Sequence, residues 1–486
     1  MSIAGSIFNH QQKSRKLTRQ QLLFLSLFGL GLCVVVAYLV VADLWPFAVA
    51  IVLALPVFVL LHRYPLAGLF VWLLLAQFLV VTDSSMLRRM YWLIHRALPP
   101  ITIGIILLSH MLHIHKRKLP KLGGAELLMA GYLVVTQLSV IYLSDDVSAN
   151  AIYIYDRIFV PMCLYLLIRL MHPTEQDLRR LIPFLILVLL AQSVIGILSW
   201  SAPQMLPGAW LDRAGSRTTG SLQSYSVFTV VVVTCGLLIL QSALNHDMGK
   251  TRRRLQYLLF GLACFMIFFS FSRGSWLAGL VVLIGLAALY RRFIIRFALV
   301  TIPVVAILLS AGALGAYADW ASQRFYSEQS EEAALSRLPI YYASYRMFEE
   351  KPVVGWGYGN FDRFDRLFQE RVGDLVNPVK DHASHNLYLT ILAEQGIVGI
   401  FFYLAPMFWW LVLSVRAYSK LPAEGFWSRK LLVIFWLLLL FHFIVNNFSN
   451  MRVVYGLGLW WITLGFIGVM VSRSLSAEAN QPEVRQ

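Results

Sequence analysis

The sequence predicts an all-α fold: a polytopic membrane protein of about 12 to 14 spans with one long loop on its outer side. The chain has 486 residues, of which 58% are hydrophobic and only 14% are charged. A soluble domain carries about 25% charged residues. Long apolar runs recur, and the mean hydropathy is +0.68. Lipid is therefore the expected solvent for most of the chain.

The apolar runs give the candidate spans in chain order. Those that begin at residues 46, 99 and 276 are short for a bilayer about 30 Å thick. The run 22–41 follows a basic leader and is long enough to remain in the membrane. We expect spans at 22–41, 46–61, 65–81, 99–114, 125–143, 149–168, 181–200, 225–244, 255–271, 276–290, 297–318, 387–415, 431–447 and 454–472.

The distribution of basic residues predicts how these spans are oriented. With the amino terminus inside, 25 of the 41 Lys and Arg residues fall in cytoplasmic segments and 7 in the short outer connections. Short connections rich in Lys and Arg remain in the cytoplasm. The net charge of +16 therefore reflects membrane orientation, and nucleic acid is not an expected partner.

This orientation divides the chain into five parts. They are a cytoplasmic amino terminus (1–21), a first block of transmembrane helices 1–11 (22–318) and a periplasmic loop (319–386). A second block of transmembrane helices 12–14 (387–472) and a cytoplasmic tail (473–486) follow. Within the loop, Leu335–Phe348 places apolar side chains on one helical face: Leu338, Tyr341, Tyr342, Tyr345 and Phe348. The pattern predicts an amphipathic helix that lies on the membrane or over a cavity and ends near Pro352.

The cysteines do not suggest a metal or a disulfide. Each of the four lies in an apolar run, without Cys-x-x-Cys spacing and without a neighbouring His: Cys33, Cys163, Cys235 and Cys264. We expect them to be buried as small hydrophobic residues. No other His, Cys or carboxylate pattern has metal-ligand spacing, so the sequence predicts no metal and no cofactor.

Two arginines stand at the outer ends of spans. Arg217, in Ser216-Arg-Thr-Thr-Gly, precedes a span, and a lone arginine there is commonly a membrane anchor. Arg273 and Gly274 form most of the turn between two spans, where the charge rule disfavours an arginine and a glycine lets the backbone approach a ligand. A binding role and a structural role are equally compatible with this second pattern.

A third outer pattern, Ser384-His385-Asn386, opens a helix after the long loop. The partial positive charge of a helix amino terminus disfavours a second positive charge, so a neutral imidazole that accepts a proton fits there. Glu394 lies nine residues further on, about half a turn around the helix, and is expected to be a buried packing or hydrogen-bonding group.

The segment Pro352–Phe361 has glycines at alternate positions with Trp356 and Tyr358 between them. It follows a helix rather than a strand, so it does not fit a nucleotide-binding loop. We expect a shaped loop that holds sugar rings or closes over a site.

One acid–base pair, Asp156 and Arg157, falls inside a predicted span. Charge in lipid is costly, so each side chain should face the protein interior or a polar cavity. Structural roles are favoured for both over binding of a donor.

Taken together, two arginines and a histidine from separate stretches reach the same membrane face. Arginine forks match pyrophosphate oxygens, and a neutral histidine can take the proton of a sugar hydroxyl. The donor expected from this chemistry is a lipid-linked diphosphate sugar.

At these residues the sequence resembles the bacterial O-antigen ligase and polymerase superfamily of membrane glycosyltransferases. The resemblance covers roughly 181–415. It is carried by Arg217-Thr-Thr-Gly, Ser272-Arg273-Gly-Ser-Trp, Arg337, Pro352-Val-Val-Gly-Trp-Gly-Tyr-Gly-Asn-Phe361, His385-Asn-Leu-Tyr-Leu and Glu394-Gln-Gly-Ile-Val-Gly.

The resemblance implies a C-type, metal-independent glycosyltransferase of the bacterial inner membrane, with its site facing the periplasm. Its donor would be an undecaprenyl-diphosphate-linked glycan, and its acceptor a glycan or a lipid-linked glycan. Arg217 and Arg273 match arginines that hold the diphosphate, His385 matches a histidine important for transfer, and Arg337 matches a further arginine of the loop. The expected substrate-binding residues beside them are Gly274, Trp356, Tyr358 and Asn386.

Ligases and polymerases share these motifs. Lipopolysaccharide ligases tend to be shorter than 486 residues, which slightly favours a polymerase of O-antigen or exopolysaccharide. The alternative is an O-antigen ligase that transfers polymer to lipid A-core. A transporter or flippase is the alternative of another class, but it usually places ionisable groups near the midplane, where only Asp156 and Arg157 lie.

Overall fold

The computed structural model describes residues 30–31, 33–42, 45–82, 84–112, 119–144, 146–211, 217–245, 248–312, 315, 319, 335, 337–368, 384–449 and 453–479. These residues form helices and turns and contain no β-strand. The all-α class predicted from composition is confirmed. The chain divides into two compact units, Met1–Tyr64 and Pro65–Gln486, and all residues of the candidate site belong to the second.

The helices are numbered here in chain order. The first unit contributes α1, Trp45–Arg63. The second contributes α2 to α14: Leu66–Leu79, Ser85–Met111, Gly124–Leu143, Val147–Met171, Glu175–Ser201, Tyr225–Asn245, Lys250–Phe269, Arg273–Ser310, Leu338–Glu350, Phe361–Phe368, Leu387–Tyr418, Arg429–Asn446 and Val454–Ala479.

Every predicted span from residue 46 onward overlaps one of these helices. Of the predicted span 22–41, residues 30–31 and 33–41 are described and helical, and the rest lies outside the described residues. Nine helices of the described part are long and apolar enough to cross a membrane. The predicted number was higher in part because two predicted spans, 65–81 and 255–271, lie on helices that do not qualify alone. The helix α2 is only 14 residues long, and α8 begins with the run Arg252–Arg254, so neither passes a test of length and composition.

The helix α9 accounts for two predicted spans, 276–290 and 297–318. Its backbone leaves the helical region at Tyr290, with φ −134° and ψ 47°. Before the kink, Trp276 stacks on Phe268 near the end of α8. After it, α9 runs back along α8, because Phe293 meets Tyr257 and Phe297 meets Phe260 and Gly261. The two halves of α9 therefore follow α8 in opposite directions.

Two helices form the centre of the second unit. The helices α7 and α14 have apolar windows that are 94% buried, more than any other candidate span of the described part. Glycines allow close contact there: a side chain at Gly458 of α14 would overlap Trp72 of α2. The amino-terminal end of α7 is thus a rigid base for the residues just before it, among them Arg217.

The charged residues inside the membrane behave as predicted. The helices α3 and α5 each contain a π-helical turn, Trp92–Ala97 and Tyr155–Phe159, and the two turns contact each other. Asp156 accepts two hydrogen bonds of 2.5 Å from Arg96. Arg157 lines a small interior cavity instead. Neither charge faces lipid alone, which confirms the expectation that each would point into the protein or a cavity.

The cysteines are free. Cys163 and Cys235 are buried and Cys264 is half-buried, as expected for small hydrophobic residues. Cys33 is exposed, so the expected burial is wrong for this residue. An apolar side chain on a span needs no protein around it when lipid is its solvent, and an apolar run alone does not separate lipid contact from protein contact.

The sidedness inferred from charge stays a prediction. In a Cys33→Ser background, a cysteine at Val354 should react with a membrane-impermeant thiol reagent added to intact spheroplasts. One at Arg252 should react only after the membrane is opened. Both native side chains are exposed, so access is decided by the membrane rather than by burial. Labelling of position 252 but not 354 from outside would reverse the orientation.

Candidate functional site

Arg217 is held in place by a buried polar network immediately after it. Ser221 accepts a hydrogen bond of 2.7 Å from the side chain of Gln192 and donates one of 2.8 Å to the carbonyl of Gln77. Gly220 adopts a left-handed φ of +57°, and a side chain there would overlap Gln192. The guanidinium carbon of Arg217 lies 4.2 Å from the ring centre of Tyr225. A fixed loop thus presents Arg217 above the first residue of α7.

Arg273 is exposed, although the residues on both sides of it are buried. Ser275 donates 3.0 Å to the hydroxyl of Ser272, and it also pairs with Thr229 of α7 at 2.8 Å. A side chain at Gly274 would come within 2.8 Å of Phe448. The polypeptide at the start of α9 is therefore fixed on three sides while its guanidinium projects outward.

Arg337 completes a group of three cations. It immediately precedes α10, where its carbonyl accepts a hydrogen bond of 2.9 Å from the amide of Tyr341. The charge of Arg337 and the hydroxyl of Tyr225 both act on the hydroxyl of Tyr341. Burial raises the pKa of the Tyr341 hydroxyl, and the positive charge of Arg337 opposes that rise. Arg273 interacts electrostatically with both Arg337 and Arg217. We call Arg217, Arg273 and Arg337 the arginine cluster.

His385 lies just before α12 and has a left-handed backbone, with φ 50°. A non-glycine residue rarely adopts this conformation. The turn is stabilised on both sides. Asn386 caps α12 by accepting hydrogen bonds from the amides of Tyr388 and Leu389, at 3.0 and 3.1 Å. Ser384 pairs with Thr390 and donates 2.8 Å to the carbonyl of Asn386.

The end of α13 connects the histidine turn to the arginine cluster. Asn386 donates a long hydrogen bond of 3.5 Å to the side chain of Asn447. The next residue, Phe448, packs on Gly274 beside Arg273. The turns that contain His385 and Arg273 thus both contact this short segment, and a site shared by the two side chains stays a prediction.

The glycine-rich segment after α10 packs against α12 along its backbone. The amides of Trp356 and Gly357 donate to the carbonyls of Ala393 and Glu394, at 3.0 and 2.7 Å. Further along α12, the amide of Ile397 donates 2.8 Å to the carbonyl of Pro352. We call residues 352–360 the clamp loop, because it pairs with the irregular turn of α12.

The two aromatic residues of the clamp loop face the protein. Tyr358 is only 4% exposed, and its amide is bonded to Ser139 of α4 at 2.9 Å. The indole of Trp356 donates 2.9 Å to the carbonyl of Met347 and is covered by Lys351, at 3.8 Å from the ring centre. These contacts give both residues packing roles. A substrate-binding role for either one stays a prediction.

Glu394 is fully buried, and its carboxylate accepts a hydrogen bond of 3.2 Å from the amide of Phe361. This confirms the prediction of a buried hydrogen-bonding group. It links α12 to the end of the clamp loop rather than to a substrate.

Comparison with known families identifies the segment that contains most of these residues. The model of the O-antigen ligase family matches residues 258–404. This match supports a place for the chain in the O-antigen ligase superfamily. No curated protein matches the chain. The matched segment of this O-antigen ligase-type enzyme contains Arg273, Arg337 and His385, whereas Arg217 precedes it.

Some residues of the site were not predicted. Tyr225 and Tyr341 connect the three arginines, and the end of α13 connects the histidine turn to them. Arg157 lines a cavity together with Tyr358 and with Leu387, the first residue of α12. The helical spacing of Tyr341 was a usable signal. Nothing in the local sequence of Asn447 or Phe448 indicates contact with residues more than 60 positions away.

The arrangement suits a ligand with several negative charges. Guanidinium groups form charge-assisted hydrogen bonds with phosphate oxygens, and these are about twice as strong as neutral hydrogen bonds. The arginine cluster can therefore bind a polyanionic group such as a diphosphate.

Proposed function

We propose that this member of the O-antigen ligase superfamily is a bacterial inner-membrane glycosyltransferase. It takes glycan from an undecaprenyl-diphosphate donor and transfers it to an acceptor glycan on the periplasmic face. The arginine cluster is the observation that supports this proposal most directly, because three converging arginines match a diphosphate. Polymerisation of O-antigen or exopolysaccharide repeat units is favoured. Ligation to lipid A-core is the second candidate.

The proposed reaction is a displacement with inversion at the anomeric carbon. The acceptor hydroxyl attacks this carbon and gives its proton to the imidazole of His385. The bond to the donor diphosphate breaks, and its electron pair leaves with the phosphate oxygen. Arg217, Arg273 and Arg337 stabilise the charge that develops there. The base contributes about 10² to 10⁴ to the rate.

The contacts of the two turns support this division of roles. In-line attack needs the base and the leaving group on opposite sides of the reacting carbon. Asn386, beside His385, and Gly274, beside Arg273, contact adjacent residues at the end of α13, so both groups can approach one reacting carbon. Asn386 and Gly274 are thus proposed to shape the site through the backbone. Neither role requires a metal, and transfer is expected to continue after chelation.

The test is a deletion strain complemented with the wild-type gene or with His385→Ala at matched membrane expression. We expect His385→Ala to lower transfer product at least about 10²-fold, because the acceptor loses its base. Surface glycans separate the two candidates. Single-repeat products or loss of a secreted polysaccharide indicate a polymerase, and uncapped lipopolysaccharide with accumulated lipid-linked polymer indicates a ligase. Near wild-type product from His385→Ala contradicts the proposed mechanism.

An assay with purified protein distinguishes a glycosyltransferase from a transporter. With lipid-linked donor in detergent, there is no compartment to transport into, so only an enzyme forms a new glycosidic bond. The same reaction in the presence of a chelator tests metal independence. Absence of product under these conditions, together with accumulation of donor on one side of vesicles, would favour the flippase alternative.

A further inference from the structure

The helix α10 has two different faces. Its buried face consists of Ile340, Ala343, Ser344 and Met347, and it packs on α12. The face predicted from the sequence, with its aromatic residues, is the opposite one. Tyr345 is 52% exposed, and the side chains around it are exposed or half-exposed: Leu338, Tyr341, Tyr342 and Phe348. An aromatic surface is thus left open while the helix itself is anchored.

This aromatic surface is continuous with the arginine cluster. Tyr341, at its amino-terminal end, is one helical turn after Arg337, and its amide donates 2.9 Å to the Arg337 carbonyl. Its hydroxyl interacts electrostatically with Arg337 and with Tyr225, and the guanidinium of Arg217 lies over the Tyr225 ring. From there the surface continues along the helix to Phe348. Seven residues of α-helix span about 10 Å. A molecule held by the arginine cluster can therefore extend along the surface for about the length of two sugar rings.

The chemistry of the surface fits sugars better than acyl chains. Sugar rings have apolar C–H faces that pack on aromatic rings and hydroxyl edges that need polar partners. One helical turn after Tyr345, Glu349 accepts a hydrogen bond of 2.8 Å from Arg346. A charged pair thus borders the rings, and burying it in hydrocarbon would be costly.

We propose that Tyr342, Tyr345 and Phe348 form a glycan-binding stripe, which holds the first sugar units of the donor beside the diphosphate in the arginine cluster. The inference rests on the proposed function and names the part of the substrate that α10 recognises. It also moves glycan contact from the clamp loop, where Trp356 and Tyr358 are covered, to the open face of the preceding helix.

The test compares two donors with the full-length protein in nanodiscs. One donor carries a single sugar on the lipid diphosphate, and the other carries a complete oligosaccharide repeat. We expect Tyr345→Ala and Phe348→Ala each to raise KM for the oligosaccharide donor about fivefold, because an aromatic contact of this kind is worth about 1 kcal/mol. KM for the single-sugar donor should change less than about twofold, since that sugar lies nearest Tyr341.

The matched control is Tyr142→Ala. Tyr142 is 79% exposed near the outer end of α4 and is not part of α10, so both donors should behave as with the wild type. An equal rise in KM for both donors overturns the stripe as a glycan site. So does a loss of activity that depends on vesicle composition and not on donor length, because that outcome assigns the aromatic face to the membrane.

A failure of the proposed function is recognised separately. If the wild type transfers neither donor, binding of the free oligosaccharide is measured by quenching of intrinsic fluorescence. Binding that is lost in Tyr345→Ala and kept in Tyr142→Ala supports the stripe without the transferase reaction. Absence of binding by the wild type overturns the stripe.

Discussion

Arg273→Ala is expected to lower the rate of glycan transfer at least about 10²-fold, the usual effect of removing one charged group that stabilises a leaving oxygen. Arg273→Lys should be damaging as well, because an ammonium point charge does not replace a bidentate guanidinium fork. The measurement is kcat and KM for lipid-linked donor with purified protein. Near wild-type kcat/KM in Arg273→Ala would contradict the proposed role of the arginine cluster.

Folding should survive this substitution. Arg273 is exposed at the first position of α9, and the contacts that fix the turn belong to its neighbours Ser272, Gly274 and Ser275. Truncation therefore removes a charge without opening a cavity. Arg291→Ala, at the kink of the same helix, is a suitable control because Arg291 is also exposed. It should retain both the yield of folded protein and the rate of transfer.

The sequence was sufficient for the helices from residue 46 onward, whereas the membrane face of the candidate site stays a prediction. An apolar run of span length forms a helix in lipid, because backbone N–H and C=O groups without hydrogen bonds are too costly there. The arginines of the predicted outer turns could be recognised from the sequence, because the positive-inside rule disfavours arginine there. Arg273 and His385 could thus be selected without knowledge of any contact.

Contacts between distant parts of the chain were not predictable in this way. Asp156 was expected to avoid lipid, but its partner Arg96 lies 60 residues earlier and is aligned with it by a π-helical turn in each helix. The orientation of α10 is another case. Its aromatic face has the stronger apolar pattern, but Ile340 and Met347 on the other face fit against Ala393 of α12. Shape decides between two faces that differ little in hydrophobicity.

The aromatic residues of the clamp loop illustrate a further limit. A loop with alternating glycine and aromatic residues suggested a surface that holds sugar rings. The structure uses the glycines to bring two backbones together, which covers Trp356 and Tyr358. The close approach of the two backbones needs a glycine in each segment, Gly355 in the loop and Gly396 in α12. Neither glycine alone predicts this pairing.

Gly396→Ala is accordingly expected to destabilise the whole protein. Gly396 has φ 62° and ψ −161°, a region that is essentially restricted to glycine and costs other residues about 1–3 kcal/mol. A Cβ atom there would also overlap the carbonyl groups of Pro352 and Val353, which are backbone atoms and cannot rotate away. Gly355→Ala meets the same obstacle from the other side, because its Cβ would overlap the backbone of Glu394 and Gln395.

Both substitutions should therefore lower the thermal midpoint of the purified protein by several degrees and reduce its yield, and activity should fall with the fraction folded. Gly104→Ala is the control. Gly104 lies inside α3 with no atom near its Cβ position, and alanine is favoured over glycine in a helix by about 1 kcal/mol. An unchanged thermal midpoint in Gly396→Ala would mean that the clamp loop separates from α12 at little cost. In that case the loop could not fix the start of α12, and the position of His385 would depend on the cap of Asn386 alone.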